Sequence, residues 1–402
     1  MEAENVIIGS GPAGLAAAAF APGGALVLEA RESPGWKILI SGDGHCNVSN
    51  TFAPEEFLRR MGSGGRQLKY ALGAFGPDEV RAWFANRGCP TVVRDEWEVF
   101  PKSNRAEDIL ETLLAAAEKN GSEVLCGGRV TGIARASGSG FIVHARSEEI
   151  RCRRLVIAAG TPAWGRPQPQ FEDALRRLGH TVRPFVPGVC AVALEGNPFE
   201  GLAGLSFKGR VSVAGKWKDA DEILITDDGL SGPGVMNPSA GIYRRLYDGE
   251  GGEFEVDFLP GPGAAETVKM FLALRQSAPR AFMRTALGEV MPKRLAARLA
   301  EIAGVADVTA SQLTKPEAGR LAACVHHFKC NVVEMPSLAK AFVASGGMPL
   351  EEVNMRTMES RIVRGLYFAG EILDYDAPGG GFNITLALAT GRLAGLQLAA
   401  EK

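Results

Sequence analysis

The stretch Asn5-Val6-Ile7-Ile8-Gly9-Ser10-Gly11-Pro12-Ala13-Gly14 decides the fold. Asn5 to Ile8 reads as a short buried strand that ends abruptly in glycine, and Pro12 to Phe20 reads as a small-residue helix opened by proline. A second strand follows at Ala25 to Leu28, and Glu29 stands twenty residues beyond Gly9. In this strand-turn-helix setting each part of G-x-G-x-x-G has a physical job. Gly9 permits the tight turn, Gly11 lets the backbone approach a pyrophosphate, and Gly14 lets the helix lie close on the strand. The free N–H groups and positive dipole end of the helix attract the phosphate charge. A carboxylate at Glu29 accepts hydrogen bonds from an adenosine ribose. The stretch therefore predicts a dinucleotide-binding βαβ unit.

Working outward, 402 residues exceed one ordinary core and imply two or three lobes. With 46% hydrophobic and 22% charged residues the chain falls in the globular range, which excludes fibrous and long disordered classes. A formal net charge of -2 provides no broad basic field, so a small-molecule substrate is expected rather than nucleic acid or an anionic membrane. The seven cysteines are scattered and never form C-x-x-C, which suits a reducing, cytoplasmic setting and indicates no metal site. The apolar run from Val6 to Leu28 follows Glu2 and Glu4 instead of cations and is broken by five glycines, so it does not read as a signal peptide. No other run reaches the roughly 18 to 20 apolar residues needed to cross a bilayer.

Further along, Asp78 to Asn86 and Ala106 to Ala117 read as amphipathic helices. Between Glu123 and Ala159 short alternating strands form a meander that returns to a parallel sheet through the apolar run Leu155 to Ala159, ending at Gly160. Residues 187 to 260 are strand-rich. Ala264 to His327 is helical, broken by Pro279 and Pro292, and a last helix runs from Ile384 to Ala400. There is no internal repeat.

A glycine fingerprint alone does not separate NAD from FAD. The segment Gly365-Leu-Tyr-Phe-Ala-Gly370-Glu371 does: an apolar strand ends in glycine plus carboxylate, followed by Asp374, Asp376, Gly379-Gly-Gly381 and a new helix. An extended flavin nucleotide needs a polar group for its ribityl chain and a helix N-terminus near its ring, where the dipole favours negative charge on the reduced ring. A second strand-to-helix junction at the far end of the chain also means that the first domain is split by an insertion.

Ser41-Gly-Asp-Gly-His-Cys-Asn47, Gly229-Leu-Ser-Gly-Pro233, Thr357-Met-Glu-Ser360, Gly365 through Asp374, Gly380-Gly-Phe-Asn383 and Thr390-Gly-Arg-Leu-Ala-Gly395 run in order over nearly the whole chain. In these segments the sequence resembles a bacterial flavoprotein family, the NAD(P)/FAD-dependent oxidoreductases similar to the bile-acid dienone reductase BaiN, some of them described as aminoacetone oxidase-like. The resemblance implies an α/β fold: a Rossmann-like FAD-binding domain of the two-dinucleotide-binding flavoprotein type, with an inserted β-rich lobe and a helical lobe. The corresponding divisions are 1–188 with 335–402, 189–262 with 326–334, and 263–325. It implies non-covalent FAD, contacted at Ala13, Glu29, Trp36, Lys37, Gly42, Val130, Glu371, Asn383 and Ile384. With the glycine loops and their neighbours, the expected cofactor set also takes in Gly9, Gly11, Pro12, Gly14, Ala30, Cys46, Asn47, Gly160, Gly370, Gly381 and Phe382.

Three positions depart from the family pattern. Asp43 replaces a glycine, His45 replaces an arginine, and Asp227 replaces a histidine after Thr226. Exchanging a guanidinium for an imidazole removes a permanent charge and its bidentate fork, so these changes bear on substrate more than on FAD.

Cys46 has no neighbouring thiol for dithiol exchange and reads as a small packed hydrophobe. Candidates for proton transfer are His45, Tyr375 and His327, and the sequence assigns none of them. The leading expectation is reduction of an activated C=C bond in a small organic substrate, with NAD(P)H as a transient reductant because no second G-x-G-x-x-G follows a strand. The alternatives are an oxidase of a small amine or amino ketone and, in another class, a tRNA-modifying or sensing flavoprotein. Oligomeric state is not legible.

Overall fold

In the computed structural model, which describes residues 1–399 except 63, 147 and 165–168, Val6 and Ile7 lie fully buried at the centre of a sheet. The strand Glu2–Ile8 pairs in parallel with Leu26–Leu28 on one side and with Glu148–Ile157 on the other, Val6 standing opposite Leu26 and Leu155. Leu26–Leu28 pairs in turn with Glu123–Leu125. The outer edge of Glu148–Ile157 is shared. Its first half pairs antiparallel with Phe141–Ala145, which continues to Val130–Arg135, and its second half pairs in parallel with Leu366–Phe368 from the far end of the chain. Apolar β-branched residues covered on both faces produce this parallel centre.

The described residues form two compact units, Met1–Phe185 with Val343–Lys402 and Val186–Phe342. In the first, the helix Pro12–Ala19 packs between the sheet and the final helix Phe382–Leu396, with Ala13 to Ala19 all buried. The helix Ala106–Lys119 presents Ile109, Leu110, Leu113 and Ala117 to the same core. The sequence placed the final helix at Ile384 to Ala400; it begins at Phe382 and ends at Leu396, and residue 400 lies outside the described residues. Three short helices, Trp36–Ile40, Pro54–Arg60 and Lys69–Ala74, and a small antiparallel sheet of Ser49–Asn50, Glu98–Pro101 and Thr91–Arg94 were not anticipated. They are too short for periodicity to show. The hairpin turns through Asp95 and Glu96, both left-handed at φ 46° and 71°, where the usual signal is glycine or asparagine.

The first unit also holds a buried polar cluster. His180 Nδ1 lies 2.8 Å from Glu352 Oε2, and His180 Nε2 lies 3.1 Å from Ser360 Oγ. Ser360 Oγ accepts from the N–H groups of Ile362 and Val363, so its own proton points to Nε2 and the imidazole carries its proton on Nδ1 toward Glu352.

The second unit is a seven-stranded antiparallel sheet with the helices Ala264–Ser277, Met283–Leu287, Lys293–Ile302 and Lys315–His326. Its own apolar core includes Phe199, Tyr243, Phe258 and Leu321. Two helices, Pro233–Met236 and Ser239–Tyr247, interrupt the stretch read as strand-rich. Pro233 opens the first of them, where its missing N–H is one the first turn leaves unbonded anyway. Asp257, 1% exposed, ties the helices to the sheet: its Oδ1 lies 3.0 Å from His326 Nδ1, and His326 Nε2 lies 2.8 Å from Thr267 Oγ1.

Candidate functional site

The glycine loop takes the strand-turn-helix form that its spacing predicts. Gly9 sits at φ 99°, and a Cβ there would fall 2.4 Å from the Ala158 carbonyl oxygen; at Gly14 it would fall 1.8 Å from the Gly9 oxygen. Gly11 faces open space within 4 Å, which leaves its backbone approachable beside Pro12 at the helix start. Glu29 caps the crossing. Its Oε1 accepts from the Arg31 N–H at 2.8 Å, and its Oε2 accepts from the Ser10 N–H at 3.1 Å and from the Ser10 hydroxyl. Ala30 is exposed beside it, and Gly128 N–H donates to the Glu29 carbonyl at 2.7 Å, bringing the turn before Val130 alongside.

The distant end of the chain closes on this loop. Ala369 N–H donates to the Ile157 carbonyl at 3.0 Å, one residue after the strand Leu366–Phe368. At Gly370 a Cβ would fall 2.7 Å from Ala13 Cβ, and the Gly370 N–H donates to Thr390 Oγ1 at 3.0 Å. Glu371 pairs with Lys37, joining the two halves of the expected cofactor set by charge. Next to Lys37, the Trp36 ring carries the Arg31 guanidinium 3.7 Å from its centroid and meets Trp164 edge-on at 5.8 Å.

Gly381 caps the final helix from a left-handed position, φ 77°, pressed so close to Ser49 that a Cβ would fall 2.3 Å from its carbonyl oxygen. Phe382 turns inward against Phe57 at 4.4 Å and Phe52 at 5.7 Å. Asn383 spends its amide on the Ala377 and Pro378 carbonyls at 3.2 and 2.9 Å, which ties down the glycine turn, and Ile384 is half-buried.

In the loop 41–47, Gly42 and Asp43 are exposed and left-handed at φ 55° and 53°. His45 Nδ1 is 2.9 Å from the Asn104 carbonyl. Cys46 is fully buried, and burial pushes its thiol up to about 12, an unreactive thiol. Asn47 donates through Nδ2 to Glu98 Oε1 at 2.8 Å. Burial and then Asp95 raise the Glu98 carboxyl above the usual range, against the lowering effect of Asn47.

Seven buried side-chain polar atoms in this unit have no hydrogen-bond partner among the described residues, and three of them, Asn47 Oδ1, Thr161 Oγ1 and Tyr375 Oη, belong to or adjoin the expected cofactor segments. Each such group costs about 1–3 kcal/mol when left unpaired. Burial, and secondarily the Glu371 charge, hold the Tyr375 hydroxyl protonated well above its ordinary range. Thr161 follows Gly160, whose surroundings are open within 4 Å. Thr161, Ser10, Arg31, Trp164 and Glu98 were missed by the sequence reading. Thr161 alone had a signal, its position directly after an apolar strand ending in glycine.

Other candidates belong to the second unit. His327 lies at its surface, with Nδ1 3.0 Å from Glu255 Oε2 and its ring 5.9 Å from that of Trp217. Asp227 is exposed in a turn, its carbonyl accepting from Asn197 Nδ2 at 2.7 Å. No cluster of metal-binding side chains occurs among the described residues, and no helix there is long and apolar enough to cross a membrane.

A parallel sheet, a glycine loop at its strand end and a second glycine turn packed against that loop define a Rossmann-type nucleotide-binding oxidoreductase. The chain belongs to the HI0933-like family: the family described as HI0933-like protein Rossmann domain matches residues 3–397. It is 31% identical to the 3-dehydro-bile acid delta(4,6)-reductase of Clostridium scindens, over 98% of both chains. It is 27% identical to the ribosomal RNA dihydrouridine synthase of Haemophilus influenzae, over 99% of both. The fold also matches the solved 3-ketosteroid-delta4-(5alpha)-dehydrogenase of Rhodococcus jostii RHA1, with a TM-score of 0.52 and 14% identity over 100% of this chain and 97% of that one.

Proposed function

We propose that the chain is an FAD-dependent reductase that adds hydrogen across a C=C bond conjugated to a carbonyl, with NAD(P)H as the transient reductant. The observation that carries this reading is the meeting of Gly370-Glu371 with Ala13 and Lys37, which brings together the two ends of the chain as an extended nucleotide site requires. The residues fit the group. Gly11 and Gly160 leave backbone open for a pyrophosphate, Glu29 suits a ribose, and Thr161, Asn47 and Tyr375 bring unpaired polar atoms. FAD, when bound, supplies hydride chemistry. The chain holds it through the set named from the sequence, with the three-part division of residues 1–188/335–402, 189–262/326–334 and 263–325 as part of the same proposal.

The bile-acid relative is named for reducing double bonds conjugated to a 3-oxo group, and the RNA relatives are named for reducing the uracil double bond, itself conjugated to a carbonyl. Both reactions deliver hydride to the far carbon of a polarised double bond and a proton to the near one, which supports a shared chemistry. Anaerobic mixing of the purified protein with NADPH or NADH tests the proposal. Bleaching of the flavin band at about 450 nm is expected. Retention of that band with both nucleotides removes the nicotinamide link, and a protein that takes up no FAD removes the whole reading.

A second reading, reduction of a uridine in ribosomal RNA, is favoured by full-length similarity to the dihydrouridine synthase and by local charge. Residues 263–325 carry nine Lys and Arg against five Asp and Glu, although the chain as a whole is net -2. Such an excess attracts phosphate backbone. Dihydrouridine content of ribosomal RNA from cells with and without the gene separates the readings: loss on deletion favours the RNA substrate, and no change favours the small molecule.

A further inference from the structure

Asn47 is 9% exposed and bonded on one side only: its Nδ2 donates to Glu98 Oε1, and its Oδ1 has no partner among the described residues. An amide can present either end to a neighbour, but an ionised carboxylate can only accept. Glu98 therefore determines which end of Asn47 is left over, and the end left over is a buried acceptor. A buried acceptor with no internal donor calls for a donor from outside the chain.

What surrounds it identifies that donor. Gly380 packs on Trp97 and on Glu98, to whose Oε1 a Cβ at 380 would come within 3.4 Å, and Gly381 packs on the Ser49 carbonyl. The Asn47–Glu98 pair thus lies beside the left-handed turn that opens the fifteen-residue helix Phe382–Leu396. No side chain caps that helix, and the first N–H groups of a helix have no intrahelical partner. One acceptor and a set of free donors side by side complement an imide edge, which offers an N–H flanked by carbonyls. The pyrimidine half of isoalloxazine has that edge.

We infer that Glu98 is a positioning residue that orients the Asn47 amide to accept the ring imide N–H of the bound flavin. This inference rests on the FAD reading above. The charged groups facing Glu98 are Asp95, on the hairpin turn, and Arg94, its cross-strand partner, whose guanidinium stacks on Phe100 at 4.8 Å. When Glu98 takes a proton it can donate to Oδ1, the amide is free to turn over, and flavin affinity falls.

The test compares binding of FAD and of N3-methyl-FAD, which lacks the imide N–H, to the full-length wild-type protein, to Glu98→Gln and to Asn47→Ala, with the ligand-free melting temperature of each recorded. Wild type should prefer FAD by about tenfold. Glu98→Gln, whose amide satisfies Asn47 in either orientation, should lose about half of that preference while melting as wild type does. Asn47→Ala should lose it entirely. Equal binding of the two ligands by wild type overturns the inference without any variant, and so does a folded Glu98→Gln that keeps the full preference. Failure of wild type to bind FAD at all overturns the functional reading instead, so the two failures are distinguishable.

Discussion

Gly391, in the last helix, lies so close on Ala13, in the first, that a Cβ at 391 would fall 2.2 Å from the Ala13 carbonyl oxygen; Gly395 repeats the contact on Ala17. The two ends of the polypeptide are thereby held in one packed layer. Gly391→Val places a branched side chain against a backbone oxygen that cannot rotate away. It should cost more than about 3 kcal/mol and release flavin. Denaturant unfolding and the ratio of visible to ultraviolet absorbance of the purified variant check this.

Glu29→Ala removes the acceptor of the Ser10 and Arg31 N–H groups and of the Ser10 hydroxyl. FAD affinity should fall by about 10- to 100-fold, the equivalent of one or two charge-assisted hydrogen bonds, while FMN, which lacks the adenosine half, should bind as weakly to the variant as to wild type. Titration with both nucleotides measures it.

Tyr375→Phe deletes a buried hydroxyl that has no partner among the described residues. The ligand-free protein should be as stable as wild type or more so, by up to about 1–3 kcal/mol, because an unpaired group no longer has to be buried. If FAD or substrate supplies the missing partner, the gain shrinks in the ligand-bound protein. Melting curves with and without ligand give the difference directly.

Asp257→Asn breaks the buried pairing with His326 and Arg210 and should cost about 3–5 kcal/mol at neutral pH. Burial raises the Asp257 carboxyl, but His326, the Leu259 N–H and Arg210 outweigh it and leave it below its ordinary value. A depressed folded-state value means that the stabilisation is fully present above the unfolded value of about 3.9 and disappears as pH falls below it. The gap between wild type and variant in urea should therefore be full at neutral pH and narrow below about pH 4.

On the proposed reading, Cys46→Ser should retain FAD binding and its reduction by NAD(P)H, since a thiol fully buried and raised to about 12 is neither a nucleophile nor a redox partner at neutral pH. Alkylation of the native protein should leave Cys46 unmodified, as peptide mass mapping would show.

The amino-acid sequence by itself determined the opening βαβ unit, the split first domain and the expected flavin segments. Asn5 to Gly14, Glu29, and Gly365 to Asn383 are local patterns in which a glycine or a carboxylate is required at one position for a steric or hydrogen-bonding reason. What only the tertiary structure decided lies between segments remote in sequence. It pairs Lys37 with Glu371, Asn47 with Glu98 and His180 with Glu352, turns Phe382 into the core, and leaves Thr161, Asn47 and Tyr375 with unpaired atoms. A local pattern reports what a short stretch of backbone can adopt, whereas a partner is selected by packing across tens to hundreds of residues, and no neighbouring residue in the chain carries that information.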